Sequence, residues 1–115
     1  MTVDFEKVRI FVRPGTTDMR KQINGLSIIV EAEMKQEPFS GNLFLFCGKT
    51  KKVLKVLYWD RNGFWLAMKR LEEGSFPWPQ DSAEAREIGR EEILMLLRGI
   101  DFWHEHRCLS FKTVL

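Results

Sequence analysis

"LKVLYWDRNGFWLAMKRL", residues 54–71, decides how this chain is read, because a turn signal separates two segments that are both aromatic and basic. Asn62-Gly63 is the strongest short-range hairpin signal in the sequence, and the flanking runs are rich in strand formers. The segment therefore predicts two antiparallel strands, at 53–59 and 64–70. Upstream, residues 42–47 form a further strand, joined to 53–59 by "CGKTKK".

Side chains alternate across a strand, so each strand divides by parity. In 53–59, Leu54, Val56 and Tyr58 fall on one face and Val53, Lys55, Leu57 and Trp59 on the other. In 64–70 the two sets are Phe64, Leu66, Met68 and Trp65, Ala67, Lys69. Taking the uniformly apolar sets as the core face leaves Lys55, Trp59, Trp65 and Lys69 together, with Arg70 at the strand end. A packed core does not accept unpaired ammonium groups, since each costs several kcal/mol to bury. The expectation is a second face at least partly open to water, where indoles stack bases and amines hold phosphates. The competing reading covers the tryptophans with a C-terminal helix and lets the lysine stems reach its rim.

Outside the hairpin, "VRIFV" at 8–12 reads as a short strand. "RPGTTD" follows as a turn, and Thr16, Thr17 or Asp18 can cap a helix running to about Lys35. Met19, Ile23, Leu26, Val30 and Met34 keep the spacing of one buried helical face. Pro38 ends it. "REEILMLLR" at 90–98 predicts a short second helix with Gly99 as its stop. The fold class is α+β: a small antiparallel meander (strands near 8–12, 42–47, 53–59 and 64–70) with helices near 18–35 and 90–98 packed on one face. The tail "LSFKTVL" offers a final edge strand. At 115 residues the chain is read as a single domain, 1–115.

Net charge is only +2, but its distribution is uneven. Residues 38–71 hold seven basic residues against Asp60 alone, together with half of the chain's aromatics. That pattern suits one face built for anions. "RPGTTDMRK" adds Arg13, Arg20 and Lys21 at the expected helix entrance, where free amides and the dipole favour a phosphate. The plainer alternative is that Asp18 already serves the helix end and the bases are solvated. "FPWP" is a rigid connector in which Trp78 is a candidate partner-binding anchor.

Catalysis and metal binding are not expected. No nucleophile elbow, P-loop or dinucleotide glycine pattern occurs. Converging carboxylates are also missing from the apolar strands. His104, His106 and Cys108 with Cys47 lack the paired spacing of a zinc site. No cofactor is implied. The charged N-terminus carries no signal peptide, and two widely separated cysteines agree with a reducing compartment, so the expected location is the cytoplasm.

The ordered blocks "VRPGTTDMRKQINGL", "PFSGNLFLFCGKTKKVLKVLYWDRNGFWLAMKRLEEGSFPWP" and "EEILMLLRGID" resemble the second open reading frame product, TnpB, of bacterial insertion sequences of the IS66 type. The likeness covers roughly residues 9–103. It implies a non-catalytic accessory protein encoded beside a separate, larger transposase that contains the catalytic acids. The family brings no established site residues. On the residues themselves, the expected partners are DNA at the element ends, through Lys55, Trp59, Trp65, Lys69, Arg70, Arg13, Arg20 and Lys21, and the element-encoded transposase. A protein adaptor that docks on the transposase without touching DNA is the alternative.

Overall fold

The computed structural model describes residues 7–80 and 85–101. Its elements in chain order are β1 (Ile10–Val12), α1 (Ile23–Ala32), β2 (Leu43–Cys47), β3 (Val53–Asp60), β4 (Gly63–Arg70), β5 (Arg86–Ile88) and α2 (Arg90–Leu97). They form one five-stranded sheet, ordered β4-β3-β2-β1-β5, with two helices. The α+β expectation holds, and the two strands at 53–60 and 63–70 and the helix at 90–97 fall where their patterns put them.

Three features differ from the expectation. First, β1 pairs parallel with β2, Ile10 opposite Leu43, so α1 is a crossover connection rather than an addition to a meander. Second, the polar stretch before α2 supplies β5, which pairs antiparallel with β1. Third, the helices lie on opposite faces. Phe11, Phe44, Phe46 and Leu57 point to one side and pack on Leu26, Ile29 and Val30 of α1. Ile10, Val12, Leu43, Leu45 and Leu54 point to the other, under Ile93 and Leu96 of α2 and under Phe76 and Trp78. Alternate side chains of β1 and β2 are thus buried on both sides, which is why "IFV" and "LFLFC" are apolar without interruption. The tail proposed as an edge strand lies outside the described residues.

Helix α1 starts later than its periodicity suggested. Its N-cap is Gln22, with no side-chain cap. The residues expected to cap are held elsewhere. The Thr17 amide donates to the Cys47 carbonyl, and the buried Thr17 hydroxyl accepts from Arg13. Asp18 Oδ1 accepts from the Arg20 amide. Segment 13–21 is therefore a strap over the end of β2. Helix α2 begins at Gly89, whose amide donates to Glu92 Oε1 at 2.7 Å. It ends with Gly99 at φ +78°, the left-handed stop its sequence announced.

Candidate nucleic-acid interface

The β3–β4 hairpin closes through a two-residue loop, Arg61-Asn62, with Asp60 opposite Gly63. Arg61, not the glycine, adopts the positive φ of +56°. Partners across a two-residue loop are i and i+3, so they have opposite parity and share a face. Trp59 faces Phe64, Leu57 faces Leu66 and Lys55 faces Met68, on the α1 side. Tyr58 faces Trp65, Val56 faces Ala67 and Leu54 faces Lys69, on the α2 side. The expected shared surface of Lys55, Trp59, Trp65 and Lys69 does not form: Trp59 and Trp65 lie on opposite faces.

Nor is Lys55 exposed. It is 5% accessible, and its Nζ donates 2.9 Å hydrogen bonds to the carbonyls of Met19 and Lys21. Neither the open-face nor the α2-covered reading anticipated this, because the cover is the 13–21 strap. The strap's carbonyls supply the oxygens that make a buried ammonium tolerable.

Aromatic and basic groups separate toward opposite ends of the hairpin. At the turn end, Trp59 packs edge-on against Phe39 and Phe64, with centroids 4.9 and 5.0 Å away. Trp65, 49% exposed, donates its indole N–H to Asp60 Oδ2. At the other end the β2–β3 turn carries Lys49, Lys51 and Lys52, and the ladder continues past Arg70–Val53 through the Leu71 amide to the Lys52 carbonyl. The strap comes to the same end, since Gly48 abuts Met19 and Lys55 holds the Lys21 carbonyl. Lys49, Lys51, Lys52, Lys69 and Arg70 therefore lie at one end of the sheet, with Lys69 on its α2 face and Arg20 and Lys21 of the strap on its α1 face.

Several of these cations are engaged. Arg20 is paired with Asp18 at 2.8 Å, and its guanidinium holds the Asp18 carboxyl down at about 2. Arg70 pairs with Glu72 at 2.9 Å. Lys69 donates to the Leu97 carbonyl and Lys52 to that of Gly74. Lys49 and Lys51 make no side-chain hydrogen bond or ion pair among the described residues, while Lys21 adds its charge to that of Arg20 beside Asp18. Lys49 and Lys51 lie outside the expected site, and their signal in the sequence is the "KTKK" run that joins β2 to β3.

Two further expectations are corrected. Arg13 is a clamp inside the fold, donating to the Thr16 carbonyl, Thr17 Oγ1 and Glu33 Oε1 at 2.9, 2.8 and 2.7 Å. Those bonds turn a side chain that is only 19% exposed into the fold rather than toward an open phosphate. Trp78 is 6% exposed in the core under α2, its indole N–H donating to the Arg13 carbonyl at 2.8 Å. A buried, satisfied indole cannot anchor a partner. Cys47 is buried too, and burial pushes its thiol up to about 11. Among the described residues no three His, Cys, Asp or Glu side chains are grouped to hold a metal. His104, His106 and Cys108 lie outside them.

A family model described as IS66 Orf2-like protein matches residues 8–107. The chain belongs to the IS66 Orf2-like family. Membership carries the role of an accessory protein in transposition of an insertion sequence. Two Sinorhizobium fredii proteins are similar, both of uncharacterized function. The protein y4hO is 38% identical over 99 residues, 86% of each chain. The protein y4jC is 34% identical over 95 residues, covering 83% of this chain and 81% of its own. No solved structure matches the chain significantly. No helix among the described residues is long and apolar enough to cross a membrane.

Proposed function

We propose that this IS66 Orf2-like protein is a non-catalytic cytoplasmic accessory factor that contacts DNA at the element ends through the basic end of its sheet. The observation that carries the reading is the placement of Lys49 and Lys51, without an ion pair among the described residues, at the same end of the sheet as Lys52, Lys69 and Arg70, with Lys21 on the adjoining strap. Amines around one sheet end suit phosphate contacts, which position a duplex without reading its bases. Among the described residues, Trp65 at the far end is the indole exposed enough to stack on a base or sugar.

The test is a salt titration of binding to a fluorescent duplex carrying an element end. Three phosphate contacts release enough counterions for a log–log slope of about −2.7, so affinity falls about 40-fold between 50 and 200 mM salt. Lys49→Ala with Lys51→Ala is expected to flatten the slope by about 2 and leave the fold intact. Binding with no salt dependence, or no binding to any duplex, removes this reading.

A second reading has one specific observation in its favour. Trp65 and Met68 are 49% and 64% exposed on opposite faces of the outer strand, so each face of this edge offers an apolar group to a protein such as the transposase. Capture of purified transposase after nuclease treatment, lost in Trp65→Ala, with no DNA binding, would select the adaptor role instead.

A further inference from the structure

We infer that β4 is a self-pairing edge, on which a second copy of this chain adds its own β4 antiparallel about a two-fold axis at Ala67. Strand β4 is the outermost of the sheet, and among the described residues it pairs with β3 alone. It is eight residues long, against three for the opposite edge strand, β5. Protein edges are normally shielded by shortness, a bulge, a proline or a charge in mid-strand. Here the register runs unbroken from Gly63 to Arg70, and its middle, Phe64 to Met68, is wholly apolar.

The charge pattern names the occupant. Residues directly opposite in an antiparallel pair both turn their amides toward, or both away from, the partner strand. A self-paired strand therefore matches residues of equal parity, and the axis passes through a residue. With the axis at Ala67, Trp65 lies opposite Lys69 of the second copy, and Phe64 opposite Arg70, which are cation–π pairings. Leu66 meets Met68. The same alignment brings the turn residue Arg61 opposite Glu73, next to the Arg70–Glu72 pair. Moving the axis to Leu66 sets Asp60 against Glu72 and loses both aromatic–cation matches. The strand's aromatics and cations, with the charges that flank it, are thus complementary to the strand itself run backwards, which gives an isologous contact and a closed dimer.

Sedimentation of the full chain is expected to give twice the 13.6 kDa mass of one copy, falling to a single copy on dilution. Ala67→Cys, in a Cys108→Ser background where Cys47 is buried, is expected to cross-link to itself with a short bismaleimide. Arg98→Cys, exposed at the end of α2, is not. Arg61→Glu should weaken the dimer at least tenfold, and adding Glu73→Arg should restore it. The cross-link needs no disruptive substitution, so it stands even if a charge variant folds poorly. A single-copy mass at every concentration overturns the inference, as does a dimer in which Ala67→Cys fails to cross-link. A β4 edge occupied only when another protein is added overturns it equally.

Discussion

Lys55 Nζ donates a 2.9 Å hydrogen bond to the Met19 carbonyl, joining the middle of a central strand to a loop 36 residues away in sequence. With the matching bond to Lys21, it holds the 13–21 strap against the sheet. Lys55→Met keeps the apolar stem but strands two carbonyls. The expected loss is about 1–3 kcal/mol, read as a lower urea midpoint with an unchanged slope. Loosening of the strap should appear as faster amide exchange at Thr17 and Lys21. An unchanged midpoint would mean the ammonium is hydrated rather than buried.

The strap also depends on Gly48. A Cβ there would lie 2.6 Å from Met19 Cγ, a separation no real contact tolerates. Gly48→Ala is expected to cost about 1–3 kcal/mol through overpacking. Met19→Ala in the same chain should recover part of that loss, giving a coupling clearly different from zero in a double-mutant cycle. Additive effects would place the clash elsewhere.

Trp78 separates packing from its single polar contact. Trp78→Phe removes the hydrogen bond to the Arg13 carbonyl and is expected to cost about 1 kcal/mol. Trp78→Ala also opens a cavity between α2 and the sheet and should cost about 3–5 kcal/mol. Neither change is expected to remove binding to DNA or to another protein at temperatures where the variant stays folded.

Acid should act on the strap through Asp18. Its carboxyl titrates at about 2 beside Arg20, below the ordinary 3.8. A lowered folded-state value contributes stability that is complete above about pH 4 and is lost as pH falls toward 2. The pair is exposed, so the contribution to global stability is small. Carboxyl NMR should show the low midpoint, and Arg20→Ala should return it toward 3.8.

Periodicity made both helices and the β3–β4 hairpin legible, because each is a local pattern with its own stop signal. Long-range pairing was not legible in the same way. "VRIFV" carries nothing that distinguishes a parallel partner from an antiparallel one, and "REI" at 86–88 is too short and polar to declare itself. The error at the site was one of register. A two-residue loop forces opposite parity, so Trp59 had to share a face with Phe64 and not with Trp65. Treating equal parity as equal face exchanged the sides of one whole strand. Lys55 was hidden for another reason, since only the folded strap reveals the carbonyls that accept its protons. For the cations at the sheet end, the basic window was visible from the start, but not that separate loops would bring it to one place.

The pairing of β5 with β1 has a consequence for biosynthesis. Residues 10–12 emerge from the ribosome long before residues 86–88, while the β3–β4 hairpin can zip as soon as its own turn is out. Until translation reaches β5, the nascent chain carries a raw border at β1, open to chaperones or to a neighbouring polysome product. A chain ending before residue 86 would therefore lack both the antiparallel partner of β1 and the helix that covers Ile10, Val12, Leu43 and Leu45.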